Sequence, residues 1–430
     1  MRERRGEPLP PLPSLPGAPR AFHLLAKPTG AVCNLDCSYC FFLSKEMLYP
    51  GSRFRMADDL LETYVRQLVE AHAGVPEVTI AWQGGEPTLM GLDFFRRAVE
   101  LAGRYLRPGQ RAAHTIQTNG TLLDDAWCEL FREHGFLVGL SLDGPRALHD
   151  AYRVDKGGRP TFDKVFAGLR LLQKHRVEIN VLTTVHAASA SHPLEVYRFL
   201  RDEAEARFIQ LIPIVERRNE TGYQEGDEVT ERSVDPDRYG AFLNAIFDEW
   251  IRRDVGTVFV QPFDVALASW AGEPHGLCVH SETCGAALAL EHNGDLYSCD
   301  HFVEPKHLLG NIQGRHMSTL ASSEQQMAFG RAKRDSLPRM CRECDYRFAC
   351  HGGCPKDRID TTPDGEPGLN HLCAGYLRFY RHVEPAMRRM TARLRKNEAP
   401  SRIMFEHAAA SDPCPCRSGA TYERCHGRAT

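Results

Sequence analysis

Ala31-Val-Cys33-Asn-Leu-Asp-Cys37-Ser-Tyr-Cys40-Phe41 places three thiols on one short loop with the spacing CxxxCxxC. The loop follows directly on an apolar run, residues 22–26, which reads as a β-strand. Three thiolates on a cubane of four irons leave one iron open to another ligand, whereas ferredoxin clusters take four cysteines. Structural zinc also takes four ligands. A zinc or ferredoxin site completed from elsewhere in the chain is the bland alternative. The aromatic Tyr39 beside the last cysteine and the position at the end of a strand weigh against it.

Outward from this loop, short apolar runs alternate with helical patterns. Strands are expected at 22–26, 78–82, 114–118, 137–142, 179–184 and 208–214, with helices at 58–72, 94–105, 124–134, 162–174 and 193–201. Strands separated by helices imply a parallel sheet, because parallel neighbours need a helical crossover. A doubly wound sheet and a six-unit barrel both satisfy this pattern. In either, chemistry belongs on loops at the carboxyl ends of the strands. A helix over 239–252 follows, then a stretch from 257 to about 380 with little regular pattern, a basic helix over 383–396, a linker and a compact tail.

The 430 residues fit two domains or one large barrel with appendages. Composition is 42% hydrophobic and 25% charged with a net charge of −3, which gives no pull towards nucleic acid or an anionic membrane. No run approaches the roughly 20 apolar residues of a membrane helix. Residues 1–20 carry six prolines and no apolar core of a secretory signal, so a disordered extension and a cytoplasmic location are expected. In a reducing compartment, fifteen cysteines read first as metal ligands.

Further motifs end the later strands. Gln83-Gly84-Gly85-Glu86-Pro87 closes the second, where two glycines allow close backbone approach and Glu86 offers an acceptor for a cation. Gln117-Thr-Asn-Gly-Thr121 and Ser141-Leu-Asp143-Gly144 close the third and fourth, followed by His149-Asp-Ala-Tyr-Arg153. A second cysteine field holds Cys278, Cys284, Cys299, Cys341, Cys344, Cys350, Cys354 and Cys373. Eight thiolates complete two tetrahedral zinc sites or two closed cubanes, and ligand softness does not separate these. In the tail, Cys414, Cys416, Cys425 and His426 form a zinc-type ligand set. Cys128, beside Trp127, Leu130 and Phe131, reads as a small buried hydrophobe.

The CxxxCxxC loop followed by GGEP resembles the radical S-adenosylmethionine (SAM) enzymes. That resemblance implies a partial (β/α)6 barrel of the TIM type and one [4Fe-4S] cluster on Cys33, Cys37 and Cys40. It implies SAM held through its ammonium by Gly84, Gly85 and Glu86 and through its carboxylate by Ser141 and Arg153. The second field resembles the SPASM extension, an irregular cysteine-rich domain with two auxiliary [4Fe-4S] clusters. By that resemblance Cys278, Cys284, Cys299 and Cys354 hold the first, and Cys341, Cys344, Cys350 and Cys373 the second. Cys278-Val-His-Ser-Glu-Thr-Cys284, Tyr297-Ser-Cys299-Asp300-His301-Phe302 and Phe348-Ala-Cys350-His-Gly-Gly-Cys354-Pro-Lys356 are similar to the anaerobic sulfatase-maturating enzymes.

These relatives convert a cysteine or serine of a sulfatase to Cα-formylglycine by hydrogen abstraction with a 5′-deoxyadenosyl radical. The resemblance makes Asp300 the base, Gln83 a residue of the substrate pocket, and the partners an unfolded or nascent sulfatase and an electron donor such as ferredoxin or flavodoxin. The tail resembles the SEC-C zinc motif. The implied divisions are 1–20, a barrel over 21–235, a bridging helix and strand over 236–277, SPASM over 278–388, a linker over 389–411 and the tail over 412–430. A SPASM peptide maturase forming thioether or carbon–carbon crosslinks is the rival enzyme, and an iron–sulfur electron carrier or zinc scaffold the rival of another class.

Overall fold

The computed structural model describes residues 21–274 and 276–429, so the extension expected over 1–20 lies outside the described residues. Seven strands run parallel and in chain order: β1 (His23–Lys27), β2 (Glu77–Trp82), β3 (Arg111–Thr118), β4 (Leu137–Ser141), β5 (Glu178–Val185), β6 (Phe208–Pro213) and β7 (Phe259–Val260). A doubly wound sheet reverses its strand order at a switch point, and this one does not, which is the order of a barrel. β7 is one edge of the sheet and does not close on the other, so the barrel is partial.

Each central strand separates an outer face from an inner one. On β5, Val181, Thr183 and Val185 are buried, while Asn180, Leu182 and Thr184 are only half-buried on the opposite face. The outer residues meet amphipathic helices such as Asp58–Ala71, which buries Leu60, Leu61, Tyr64, Val65 and Leu68 at helical spacing. Cys128 is fully buried there, in the same apolar core as Trp127, Leu130 and Phe131. Opposite, Pro236–Arg253 begins where the Asp235 carboxylate accepts the Arg238 N–H at 2.9 Å, with Pro236 in its first turn, and it buries Phe242, Ile246 and Trp250.

Two sequence expectations are corrected. The stretch after 257 is not merely irregular: β8 (Ala287–Glu291) pairs in parallel with the free side of β1, and β9 (Asp295–Tyr297) and β10 (Leu308–Asn311) continue the sheet antiparallel. These strands are three to five residues long, too short to show a period, and β8 finds its partner at the far end of the chain. The cysteine-rich region is thereby grafted onto the barrel sheet.

Residues 389–411 are also not a free linker. The basic helix starts earlier than expected, as Cys373–Leu394, and after it Pro400–Ile403 and Met404–His407 are helical. Ile403 is 0% exposed and Met404 5%, both in the apolar core that contains Trp250 and Met387. Tyr422 donates to the Phe405 carbonyl at 3.0 Å, docking the tail on this segment.

Ile403→Ala is therefore expected to cost about 2–5 kcal/mol of stability. In calorimetry, truncation after Ala399 lowers the unfolding midpoint, and truncation after Ser411 leaves it near that of the full chain.

Candidate active site at the carboxyl ends of the strands

The first cysteine loop is laced to the loop after β2 by backbone alone. Gly85 N–H donates to the Gly30 carbonyl at 2.8 Å and Glu86 N–H to the Val32 carbonyl at 3.0 Å. A Cβ on Gly85 would lie 1.9 Å from the Val32 oxygen, so only glycine fits one residue before Cys33 is reached. The Glu86 carboxylate is committed to the protein. It accepts from Thr88 N–H (3.0 Å), Thr88 Oγ1 (2.6 Å), Thr118 Oγ1 (2.8 Å) and Asn119 N–H (2.8 Å). Four bonds use its acceptor capacity. Burial nevertheless pushes its carboxyl above the ordinary range. Glu86 is thus a brace between the ends of β2 and β3 rather than an open acceptor, and the half-buried backbone of 83–85 is the exposed part of this loop.

Cys33, Cys37 and Cys40 face one another. Burial first, then the neighbouring thiols and Glu86, push Cys33 up to about 12, and burial pushes Cys37 up to about 11 and Cys40 above its ordinary value. As free thiols they hold their protons at neutral pH, and ligation of a metal would release them. Leu35 N–H (3.3 Å) and the Asn119 amide (3.7 Å) donate to Cys33 Sγ, the donors that steady a cluster ligand.

Beside Cys37, Arg153 is buried and its guanidinium takes both oxygens of Asp143, at 2.8 and 3.2 Å. Burial works against the Asp143 carboxylate, but Arg153 overcomes it and holds the carboxyl down at about 2. Tyr39 O–H donates to the same carboxylate, and Thr184 Oγ1 donates to it at 2.9 Å. Ser141 accepts from the Gln117 amide at 2.9 Å. Gly139 opens that path, since a Cβ there would lie 2.1 Å from Gln117 Oε1. Sequence reasoning named Ser141 and Arg153 but missed Gln117 and Asp143 as their partners. Alternation along β3, which turns Gln117 to the inner face, is the signal that finds the first.

Electrostatic neighbours sort the eight later cysteines into two groups. Cys284 faces Cys278, Cys299 faces Cys354 and Cys278, and Cys354 faces Cys284. Cys350 faces Cys373, Cys341 and Cys344. The second four line one cavity with Tyr346, Asn370, Tyr376 and Tyr380. Each group offers four soft donors that are electrostatic neighbours, and the second four share one cavity, a donor set that fits a closed cluster. In the tail, the ligand atoms of Cys414, Cys416, Cys425 and His426 all lie within 4.8 Å of one another, with His426 Nδ1 3.2 Å from both Cys414 and Cys425 sulfurs. That spacing fits a single tetrahedral ion.

Asp300 opens a short 3-10 turn directly after Cys299. Its Oδ1 lies 2.5 Å from Lys27 Nζ, the inward residue at the end of β1 and 1% exposed. Lys27 also sits 3.8 Å over the Phe42 ring, and Phe41 packs on His301 at 5.0 Å, so the turn rests on the end of the first cysteine loop. Burial pushes the Asp300 carboxyl up, and Lys27 more than reverses this, leaving it below its ordinary range and ionised. His301 is driven the other way: burial, then Lys356, lowers it to about 4, so its imidazole is neutral. Gln83 donates its backbone N–H to the Ala26 carbonyl at 2.9 Å, next to Lys27. Lys27 was missed, although a lysine ending an apolar strand before a cysteine loop is a visible anomaly.

Comparison with known proteins finds relatives for the chain. Residues 28–200 match the radical SAM superfamily, 282–345 an iron–sulfur cluster-binding domain (SPASM) and 411–428 the SEC-C motif. The chain is 45% identical over 395 residues to a serine-type anaerobic sulfatase-maturating enzyme of Bacteroides thetaiotaomicron, covering 90% of this chain and 95% of that protein. It is 33% identical to a cysteine-type counterpart from Clostridium perfringens, covering 85% and 96%. The solved structure of native anSMEcpe with bound AdoMet superposes with a TM-score of 0.78 at 32% identity, over 86% of this chain and 99% of that one.

Gly85→Ala is expected to displace the Val32–Cys33 backbone. Iron analysis and SAM-binding calorimetry should show loss of iron from the first site and of SAM binding, with the later cysteine sites retained.

Proposed function

The chain belongs to the anaerobic sulfatase-maturating enzymes, and we propose that it oxidises a serine or cysteine of a sulfatase polypeptide to Cα-formylglycine. Three [4Fe-4S] clusters on the cysteine groups described above, SAM, and a structural zinc in the tail complete this reading. When bound, the first cluster and SAM would supply a 5′-deoxyadenosyl radical able to take a hydrogen from the target β-carbon, and an auxiliary cluster an acceptor for the second electron, while the zinc would be structural only. The remaining work belongs to the protein. Gly84 and Gly85 bring backbone to the SAM ammonium, and Glu86 braces that loop. Ser141 and Arg153 address the SAM carboxylate; Asp143 holds the Nε and Nη2 side of the guanidinium, so Nη1 and the positive charge are what Arg153 offers there. Gln83 lines the pocket for the target side chain.

Asp300 takes the proton released as the target carbon–oxygen or carbon–sulfur bond gains double-bond character. The observation that carries this role is the Lys27 contact, which keeps a largely desolvated carboxylate ionised against the end of the first cysteine loop. From serine the product is the aldehyde directly; from cysteine it is a thioaldehyde that hydrolyses. The higher identity to relatives named serine-type supports serine as a target. Ferredoxin or flavodoxin is the proposed electron donor, and the cytoplasm the proposed location. The tail is proposed to recruit unfolded or nascent sulfatase.

Incubation of reduced enzyme and SAM with paired peptides tests the reading by mass spectrometry. Serine should lose about 2 mass units and cysteine about 18, by oxidation to the aldehyde, and the product should react with a hydrazide. Mass loss without hydrazide reactivity would instead mark a crosslinking maturase. Asp300→Asn should still cleave SAM while making little formylglycine; an undiminished yield removes Asp300 from the base role. Truncation after Ser411 should spare a short peptide and slow a full-length sulfatase, and equal rates on both would leave the tail without that task.

A further inference from the structure

A buried cation, Lys333, and a half-buried one, Arg358, lie among the later cysteines, and the proposed chemistry uses neither. Lys333 stands on the helix Glu324–Asp335 and is 1% exposed. Gly330, one turn earlier, lets this helix lie against Cys284: its carbonyl accepts the Cys284 N–H at 3.1 Å, and a Cβ there would be 2.6 Å from the Cys284 oxygen. Lys333 Nζ then donates to the carbonyls of Cys278 and Val279 at 2.6 and 2.9 Å. Arg358 continues the strip. It donates to the carbonyls of Gly352 (3.1 Å) and His351 (3.0 Å), in the loop between Cys350 and Cys354, and to the Lys333 carbonyl at 2.7 Å. Its fourth contact is the Ser336 hydroxyl at 3.3 Å.

Among the described residues, these acceptors are all neutral, and no carboxylate pairs with either cation. An ammonium buried against carbonyls alone is costly, so a compensating anion is called for. Lys333 interacts electrostatically with the thiols of Cys284, Cys354 and Cys278, all of one group, and Arg358 with those of Cys341, Cys284, Cys354 and Cys350, drawn from both groups. A cluster held by four thiolates is such an anion, and it gains a further negative charge on reduction. A fixed positive charge beside it favours the reduced form and raises its potential.

We propose that Lys333 and Arg358 form a cationic bridge between the two four-cysteine sites, with Arg358 raising the potential of both clusters and Lys333 raising that of the Cys278/Cys284/Cys299/Cys354 cluster alone. Lys333 thereby makes the cluster next to Asp300 the better electron acceptor. This rests on the cluster assignment above but not on the substrate, so it is tested apart from formylglycine formation. In potentiometric titrations followed by electron paramagnetic resonance, the reconstituted full chain is compared with Lys333→Gln, Lys333→Arg and Arg358→Gln.

Lys333→Gln, whose amide still donates to the carbonyls, should lower one auxiliary midpoint. Arg358→Gln should lower both, Lys333→Arg should keep the parent values, and the Cys33/Cys37/Cys40 cluster serves as an unmoved reference. Parent midpoints in Lys333→Gln with full iron content overturn the proposal. Should Lys333→Gln lose iron, parent midpoints in Arg358→Gln overturn it equally. Iron loss in both glutamine variants but not in Lys333→Arg supports the charge requirement, and iron loss in Lys333→Arg as well contradicts it.

Discussion

The parallel pairing of β1 with β8 is the contact on which the site depends. Its register runs from His23 opposite Ala287 to Lys27 opposite Glu291. One strand leads into the first cysteine loop, and the other leads through a short hairpin to Cys299 and Asp300. Without that ladder the two cysteine regions would be separate modules on one chain. With it, Lys27 reaches Asp300 at 2.5 Å, and the ends of both cysteine segments share one wall. A largely desolvated ion pair of this kind is weak as a source of stability but strict in geometry, because either partner left alone is an uncompensated charge.

The same economy of buried charge recurs around each cysteine group. Glu86 accepts four hydrogen bonds between strand ends, and Asp143 is held by Arg153, Tyr39 and Thr184 beside Cys37. Lys27 answers Asp300 next to Cys299. Lys333 and Arg358 stand apart, since among the described residues carbonyls and a hydroxyl are what they donate to. Desolvated groups of this sort are tolerated where a ligand completes them, and they concentrate at functional sites.

Much of this was legible in the chain itself. Six of the barrel strands and their helices follow from apolar periodicity, and the ends found in the structure differ by a few residues, as at β3, which begins at Arg111 rather than 114. The first cysteine loop, GGEP and the tail ligands were visible because their residues lie within a few positions of one another. Lys27, Gln117 and Asp143 were not, because each matters through a partner far along the chain. Strands of two to five residues, β7 to β10, carry no period to detect. The helical packing of 400–407 was hidden behind a proline-containing stretch in which Ile403 and Met404 gain meaning only against the core they enter.

By itself, the sequence determined the ligand types, the strand–helix alternation and the family, because covalent spacing and periodicity are local properties that any segment carries with it. Only the tertiary structure decided which cysteines converge, that Glu86 braces rather than receives, and that the cysteine-rich region shares the barrel's sheet. Those outcomes turn on burial and on charges meeting across hundreds of residues, and a desolvated carboxylate or ammonium finds its partner in space rather than in the order of the chain.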